Sequence, residues 1–492
     1  MPIPTNPIGP IGTLSGVDFQ ITIGERGDRA TRIYSQVRDA ILDGRLRAGE
    51  QLPPSRELAA RLLVSRNTVA LAYERLTAEG FLVSRVGAGT FVSGDRPGTR
   101  TRTAPEGTGV RPRAIWADAR LFGLPRPIQP KFDFSVGIPD PRLFPWETWR
   151  RLVSQVLRPA TFRPHGYDDP AGNAGLRAAI ARYIGVSRSV RAAAEDLLIT
   201  RGAQQALDLI GRVLIEPGDV VAMEEPGYPP ARALFGSFGA RVVGVPVDEE
   251  GLVVRSIPAT ARLVYATPSH QFPLGTAMSM ARRTALLDWA ARHDAVIIED
   301  DYDSEFRFGD RPLEPLQSLD RTGRVLYVGS FAKTLSPMLR LGFLVAPGSL
   351  RDALRAAKQY TDWHTEPVSQ IALAHFIDDG LLARHVRKAT REYARRHATI
   401  SRILTQDFAD WFDVIPASAG LHLCAPLRPH ATIDMDALAA QTVDAGIAVD
   451  QLTMFGGGPG FVFGYGGIAD ADIPAGLARL AGVIQGFQFW RS

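Results

Sequence analysis

Apolar side chains recur at helical spacing close to the start of the chain. Ile33, Val37 and Ile41 stand four residues apart, and Gly44 follows where a helix would stop. This pattern predicts a first helix over residues 32–42.

Two more helices and a hairpin are predicted before residue 94. Ser55 can cap a short second helix, and Ser65 begins a third helix that Gly80 closes. Segments 81–86 and 90–92, linked by a Gly-Ala-Gly turn, predict a β-hairpin. The inward positions of the second and third helices are Leu58, Ala59, Leu62, Val69, Ala72, Tyr73 and Leu76.

Two helices joined by a tight turn and followed by a hairpin are typical of a winged helix-turn-helix. The N-terminal residues of its second helix contact the base edges of DNA. Arg66 and Asn67 are of types that read bases, whereas the other candidates suit phosphate contacts. Three-helix modules with a hairpin also serve as protein-interaction domains, so that alternative stays open. The residues expected to contact DNA are Ser55, Arg56, Arg66, Asn67, Thr68 and Arg85.

Residues 94–130 show no hydrophobic periodicity and are rich in Gly, Pro, Thr and Arg. Such a composition cannot bury a core and is typical of a flexible tether. We therefore predict a DNA-binding domain over 27–93, a linker over 94–130 and a second domain over 131–492.

Beyond the linker, short apolar runs alternate with helical patterns. Strands interleaved with helices predict an α/β domain with a mostly parallel sheet. The predicted strands are 196–199, 220–223, 241–245, 263–266, 295–298 and 324–328.

Charge divides the chain in the same place. Residues 1–130 hold 18 Arg, no Lys and 12 acidic residues, a net charge of +6, and the remainder holds 38 basic and 40 acidic residues, a net charge of −2. This asymmetry favours a polyanionic partner for the N-terminal part, the alternative being scatter in an Arg-rich chain.

Cys424 is the only cysteine, which excludes disulfides within the chain and predicts a reducing compartment. Neither a signal peptide nor an apolar run of about 18 residues is evident, so we expect a cytoplasmic protein without a membrane span.

The most informative chemistry lies at the ends of two predicted strands. Lys333, one of only four lysines, follows the strand 324–328, and Asp300 and Tyr302 follow the strand 295–298. Ligands of open α/β sheets bind at the carboxyl ends of strands. An amine for a Schiff base and an acid to protonate a pyridine nitrogen are what pyridoxal phosphate requires. In addition, Thr200 to Leu207 turn from strand into helix, so the amides of Ala203 and Gln204 can hold a phosphate.

Each of these residues has a simpler explanation. Lys333 could be a solvated loop amine, and Tyr228 could be packing after a Pro-Gly turn. Asp300, Asp301 and Asp303 could form a magnesium site instead. The glycine cluster 456–460 lacks a phosphate-loop lysine and is interpreted as a turn.

The motifs together carry a specific resemblance. Residues 49–93 resemble the winged helix of the GntR regulators, residues 131–492 resemble fold-type-I aminotransferases, and the whole chain resembles the MocR/GabR regulators. The segments that carry the second resemblance are 144–146 (FPW), 167–172 (YDDPAG), 225–228 (EPGY), 267–273 (TPSHQFP), 299–302 (EDDY), 330–333 (SFAK) and 339–342 (LRLG).

This resemblance implies pyridoxal phosphate as cofactor and a role for each matching residue. Lys333 would form the Schiff base, Asp300 would pair with the pyridinium nitrogen, and Tyr302 would bond the ring hydroxyl. Tyr228 would stack on the ring, with His270 as a further cofactor contact. The implied phosphate ligands are Ser330, Arg340, Ala203, Gln204 and, from a second subunit of a homodimer, Tyr167.

One position departs from the family pattern. Where many aminotransferases carry a carboxylate-binding arginine, this chain has Val462, and an apolar side chain cannot clamp a carboxylate. The effector could then be pyridoxal phosphate itself or a small amine or amino-acid-like molecule, with Arg232 as a substitute arginine.

Three functions remain in competition. The leading hypothesis is a pyridoxal-phosphate-dependent regulator that binds promoter DNA and senses a small molecule. The alternatives are a catalytically active aminotransferase whose N-terminal module is vestigial or binds protein, and a GntR regulator whose sensor domain has no cofactor. No metal is expected.

Overall fold

The computed structural model describes residues 11–13, 20–22, 28–94, 109–116, 129–158, 166–309 and 314–489. The chain divides into two compact units, residues 1–111 and residues 112–492. Most of the predicted linker lies outside the described residues. Within it, Ala114–Trp116 form a single 3-10 turn that contacts the helix Pro229–Ser237.

The N-terminal unit is a small helical bundle with a hairpin. A short antiparallel pair that the sequence did not predict, β1 with β2, precedes it, and a second sheet has the order β3-β5-β4. Its elements are β1 (Ile11–Thr13), β2 (Gln20–Thr22), α1 (Arg29–Leu42), β3 (Gln51–Leu52), α2 (Ser55–Leu62), α3 (Arg66–Ala78), β4 (Leu82–Arg85) and β5 (Gly89–Val92).

The apolar stripes of the three helices meet in one core. Ile33, Val37, Leu58, Val69 and Leu76 are all fully buried, as their spacing predicts. The predicted β-hairpin is present as β4 and β5.

Capping at the two helices of the turn differs from expectation in one case. The Ser65 hydroxyl accepts a hydrogen bond of 3.2 Å from the Thr68 amide, which confirms it as the cap of α3. Ser55 is not a cap but the first residue of α2. The Pro54 carbonyl already accepts from the amides of Glu57 and Leu58, so helical hydrogen bonding begins one residue earlier than predicted.

The C-terminal unit combines a large and a small sheet with helices. The helices are α4 (Trp146–Val156), α5 (Ala174–Arg188), α6 (Ala203–Leu214), α7 (Pro229–Ser237), α8 (Met280–Arg292), α9 (Leu316–Leu319), α10 (Arg351–Asp362), α11 (Pro367–Asp378), α12 (Leu381–Asp407), α13 (Met435–Asp444) and α14 (Ile473–Phe489). The strands are β6 (Phe132–Phe134), β7 (Leu197–Thr200), β8 (Val220–Glu225), β9 (Arg241–Asp248), β10 (Gly251–Leu252), β11 (Ala261–Ala266), β12 (Val296–Asp301), β13 (Val325–Ser330), β14 (Gly342–Val345), β15 (His422–Pro426), β16 (Ile447–Gln451) and β17 (Gly460–Gly464).

The large sheet has the order β10-β9-β8-β11-β12-β13-β14-β7. Strands β9, β8, β11, β12 and β13 are mutually parallel, as the alternation of strands and helices predicts. The side chains of β8, β11, β12 and β13 are almost all buried because helices cover a parallel sheet on both faces, whereas those of β9, near the edge of the sheet, are mostly half-buried or exposed. Strand β14, absent from the predicted set, runs antiparallel to both of its neighbours.

The small sheet, of order β15-β17-β16-β6, packs its aromatic side chains against α12 and α14. The glycine cluster 456–460 leads into β17, with Gly456 ending a 3-10 turn. In the described ranges, we find no helix with the length and apolar character needed to cross a bilayer.

Candidate functional site

The helix-turn-helix presents polar side chains at the start of α3. Arg66 and Asn67, the first two residues of the helix, are exposed, as is Arg56 on α2. Ser55 and Thr68 are half-buried, and the Thr68 hydroxyl lies 2.8 Å from that of Ser65. Both candidate base readers, Arg66 and Asn67, are therefore accessible to a ligand, whereas the Thr68 hydroxyl also stabilises the helix cap.

The hairpin carries the remaining candidate. Arg85, at the end of β4, is exposed, and its guanidinium carbon lies 5.0 Å from the centre of the Phe91 ring. A cation held over an aromatic face keeps a defined position at the hairpin tip. Arg75 on α3 is instead packed 3.8 Å from the Tyr34 ring and bonds Glu79, which gives it a structural role.

In the C-terminal unit, Lys333 lies just beyond the end of β13. Its Nζ donates a hydrogen bond of 2.6 Å to the Gly137 carbonyl, 196 residues away. The Lys333 side chain is half-buried, and desolvation lowers the pKa of the amine below its usual value. A depressed pKa makes the neutral, nucleophilic form of the amine more accessible.

Asp300, at the end of β12, is buried. The Tyr265 hydroxyl donates a hydrogen bond of 2.7 Å to Asp300 Oδ2, and Asp300 Oδ1 has no hydrogen-bond partner among the described residues. Burial raises the pKa of Asp300 to about 6, while the Tyr265 bond and the Lys333 charge oppose that rise. One carboxylate oxygen is thus fixed and the other is left for a donor.

The three neighbouring aspartates do not converge on a common point. Asp301 pairs with Arg188 at 2.7 Å and accepts from Tyr327, and Asp303 faces His270 Nδ1 at 3.0 Å. Although burial opposes it, the Arg188 guanidinium holds the pKa of Asp301 below its usual value. Separate partners for the three carboxylates leave no support for the magnesium alternative.

The half-buried Tyr302 and the buried His270 form a second group beside Asp300. The Tyr302 hydroxyl lies 3.1 Å from His270 Nδ1, on the nitrogen that also faces Asp303. Gly420 permits this packing, because a Cβ there would lie 2.0 Å from His270 Cε1. His270 is thus placed behind Tyr302, where it can orient the phenol.

The candidate phosphate residues are brought together across the edge of the large sheet. Gly202, with a φ of +75°, precedes α6, whose first residues are Ala203 and Gln204. Arg340 Nη2 donates a hydrogen bond of 2.8 Å to the Arg201 carbonyl and lies over Gly202. Ser330 lies at the same end of the sheet as this turn, because Gly342 pairs with Ser330 on β13 and with Thr200 on β7. A helix N-terminus beside an exposed arginine fits a phosphate.

The two remaining tyrosines differ in exposure. Tyr228, the cap residue of α7, is half-buried against Phe272, and burial raises the pKa of its phenol to about 12. Tyr167 is 76% exposed and stacks on Trp363 with ring centres 4.4 Å apart. Tyr167 thus contacts Trp363 of its own chain, and most of its side chain remains accessible to a second subunit.

Sequence reasoning missed several residues that shape this site. Gly137 and Tyr265 bond Lys333 and Asp300 directly, and no local pattern indicates either role. Asp362 bonds both Gln205 and the buried Lys358, which ties α10 to the phosphate-binding turn. Of these residues, only Lys358 could have been singled out from the sequence, because lysine occurs just four times in the chain.

Val462 lies inside β17 and is fully buried with Cys424 and Leu452. Arg232, considered as a substitute, pairs with Glu225 at 3.1 Å. Neither position offers a free carboxylate clamp.

These groups fit a phosphate-bearing pyridine aldehyde. The amine of Lys333, the unpartnered Oδ1 of Asp300 and the turn at Gly202 supply a nucleophile, an acceptor for a ring N–H and an anion site. Such a cofactor supplies an electron sink when bound. The chain's own residues would hold it, orient it and keep its ring nitrogen protonated.

Both halves of the chain match known protein families. Residues 29–92 match the family of bacterial regulatory proteins of the gntR type, and residues 130–462 match aminotransferase class I and II. The fold is similar to a crystal structure of Pyrococcus horikoshii kynurenine aminotransferase in complex with PMP, with a TM-score of 0.68 and 26% identity over 73% of this chain and 92% of that chain. The predicted fold class is thereby confirmed.

Curated relatives span both halves. The chain is 38% identical to the probable rhizopine catabolism regulatory protein MocR of Rhizobium meliloti, over 91% of this chain and 92% of that protein. It is 35% identical to the regulator TauR of Rhodobacter capsulatus, over 94% and 98%. It is 30% identical to the pyridoxine biosynthesis regulator PdxR of Corynebacterium glutamicum, over 92% and 95%. The chain therefore belongs to the MocR-type GntR regulators, in which a helix-turn-helix is fused to an aminotransferase class I and II domain.

Proposed function

We propose that this protein is a transcription regulator that binds promoter DNA through its winged helix and pyridoxal phosphate through Lys333. The observation that carries the cofactor half is the buried Asp300, whose Oδ1 has no partner in the described part of the chain while the nearby Lys333 charge acts on its pKa. A buried acceptor without a donor is costly, and a pyridinium N–H would satisfy it.

The DNA half rests on the exposed start of α3 and on the charge of the N-terminal residues. Arg66 and Asn67 are exposed at a capped helix start, as a recognition helix requires. The net charge of +6 over residues 1–130 favours a polyanion.

The effector is proposed to be pyridoxal phosphate itself or a small amine that reacts with the bound cofactor. Val462 and Arg232 offer no carboxylate clamp, which disfavours an effector recognised chiefly through a carboxylate at those positions. The name of the relative PdxR, a regulator of pyridoxine biosynthesis, supports the first choice.

A homodimer is proposed from exposed aromatic residues near the site. Tyr167 and Trp363 are stacked yet 76% and 52% exposed, and Tyr360, on α10 just before Trp363, is 87% exposed. Clustered exposed aromatic side chains mark interaction surfaces. Two winged helices would then contact two half-sites. Sedimentation analysis of the full chain should give a dimer.

One experiment separates the three candidate functions. The full chain is purified with added pyridoxal phosphate, reduced with borohydride, and mapped by mass spectrometry, and it is titrated in parallel with DNA from its own upstream region. We expect an adduct on Lys333, absent from Lys333→Ala, together with salt-sensitive DNA binding. Turnover of an amino donor with a 2-oxo acid but no DNA binding would establish the enzyme. DNA binding by a colourless protein would establish a cofactor-free sensor.

A further inference from the structure

A cavity of about 150 Å³ lies between α5, α12 and the segment that follows β12. Its lining includes Arg188, Arg307, Glu305 and Ser304, and the exposed Ser187 lies at its rim. None of the lining residues belongs to the set assigned to the cofactor. The space exceeds what a single water molecule needs and would hold a small polyatomic ion.

Arg307 is the residue of this cavity that lacks compensation. Its Nε is buried without an acceptor, and its Nη2 reaches only the Ser269 carbonyl at 3.5 Å. No carboxylate of the described residues lies within ion-pair distance of its guanidinium. An arginine presents five donors and remains charged, so a half-buried guanidinium in this state needs an acceptor from outside the chain.

Arg188 lines the same cavity but is already paired. Its Nε and Nη2 donate to Asp301 Oδ2 at 3.0 and 2.7 Å, and Nη2 also donates to the Ser269 hydroxyl at 3.0 Å. Because Asp301 neutralises Arg188, the positive charge of Arg307 is in surplus.

Glu305 is the one acidic side chain in the lining. Burial, with the charge of Asp301, raises the pKa of the Glu305 carboxyl to about 7, against the influence of Arg188. Its neutral form is therefore accessible near neutral pH, and a protonated carboxyl donates to an oxyanion rather than repelling it.

We propose that this cavity is a binding site for a small oxyanion, a phosphate or a short-chain carboxylate, held chiefly by Arg307. A guanidinium presents two parallel N–H donors that match the oxygens of either anion. The site also adjoins the cofactor end of the sheet, because Arg188 holds Asp301, the residue next to Asp300 on β12. Neighbouring side chains of a strand point to opposite faces, so the anion would act on β12 from the face opposite Asp300.

The test is calorimetric titration of the full chain, saturated with pyridoxal phosphate, with inorganic phosphate, acetate and chloride at matched ionic strength. We expect phosphate or acetate, but not chloride, to bind, and the stronger of the two identifies the class of ligand. Arg307→Gln should weaken binding at least about tenfold, since it removes charge-assisted hydrogen bonds. The matched control Arg402→Gln, an exposed arginine of α12, should leave binding unchanged.

Two further variants separate this site from the phosphate turn and from misfolding. Binding that survives Arg340→Gln belongs to the cavity, whereas binding lost in that variant overturns the proposal. At about pH 8.5, where the Glu305 carboxyl is mostly ionised, Glu305→Gln removes a like charge and should tighten binding by about fivefold, which decides the matter even where Arg307→Gln fails to fold. An oxyanion site would be refuted if Glu305→Gln and the unmodified protein had equal affinities for the anion. It would also be refuted if chloride bound as tightly as phosphate or acetate.

Discussion

The Tyr265 hydroxyl donates a hydrogen bond of 2.7 Å to Oδ2 of Asp300, while Oδ1 of the same carboxylate has no partner in the described part of the chain. The two residues lie on neighbouring parallel strands, β11 and β12, so the sheet itself sets their approach. Tyr265 thereby holds the carboxyl in one orientation and leaves one oxygen for the cofactor.

The first prediction concerns this pair. Asp300→Asn removes the charge that keeps a pyridine nitrogen protonated, and we expect pyridoxal phosphate affinity to fall by more than about tenfold. Tyr265→Phe keeps the charge but loses its orientation, and we expect a loss of roughly 1 kcal/mol, about fivefold. Both are measured by absorbance titration with the cofactor.

The control for this pair is Tyr73→Phe, which removes a buried, hydrogen-bonded tyrosine hydroxyl on α3 of the N-terminal unit. Its affinity for the cofactor should match that of the unmodified protein. An unchanged affinity in Asp300→Asn would contradict the assignment of Asp300.

The second prediction concerns Gly137 and Lys333. A Cβ at Gly137 would lie 2.9 Å from Lys333 Nζ, and Gly137 has a φ of +76°, which disfavours any side chain. We expect Gly137→Ala to displace the amine and to slow covalent capture of pyridoxal phosphate at least about tenfold, followed by stopped-flow absorbance.

Gly218→Ala is the control for the effect of backbone strain alone. Gly218 has a φ of +97° and open space around its Cβ position, so this variant carries strain without the clash. Equal capture rates in the two variants would mean that contact with Lys333 is unimportant.

The third prediction concerns DNA. Arg66→Ala should cost about 1–3 kcal/mol on the operator and relax preference at one base position. Arg56→Ala should weaken binding to all sequences alike and reduce the salt dependence by about 0.9 in log–log slope. Fluorescence anisotropy at several salt concentrations measures both effects.

Arg402→Ala, on α12 of the C-terminal unit, is the matched control for removing one exposed arginine. The assignment of α3 as the recognition helix fails if this variant and Arg66→Ala bind the operator equally well.

The fourth prediction concerns pH and the buried Glu224. Its Oε2 accepts from the Thr267 hydroxyl and amide, and burial raises the pKa of its carboxyl to about 7. A raised pKa means that the folded state binds the proton more tightly than the unfolded state. Stability from this group is therefore full at low pH and is lost as pH rises from about 4.5 to about 7.

Glu224→Gln keeps the shape of the side chain and removes its titration. The fall in unfolding free energy between pH 5 and 7.5 should shrink by roughly 2 kcal/mol relative to the unmodified protein. Glu225→Gln, at an exposed neighbour paired with Arg232, should keep the full fall. Thermal unfolding at the two pH values compares the three proteins, and parallel curves would argue against a protonated Glu224.

Local sequence patterns predicted the helices and the hairpin of the N-terminal unit and the parallel strands of the C-terminal unit. The spacing of Ile33, Val37 and Ile41 and the run before Asp300 are short-range signals that depend on few neighbours. Motif order also named Lys333, Asp300, Tyr302 and the turn at Gly202. The prediction failed at Ser55, where the Pro54 carbonyl starts the helix, and it left out β14 and the four strands of the small sheet.

What this sequence determined by itself was which residue types stand at the ends of which strands and where the chain changes character. Only the tertiary structure decided what those residues touch. Gly137 meets Lys333 across 196 residues, Tyr265 fixes Asp300 across 35, and Asp301 and Asp303 turn to different partners. The physical reason is that such contacts depend on the register of strands and on close packing between distant segments, which no local periodicity encodes.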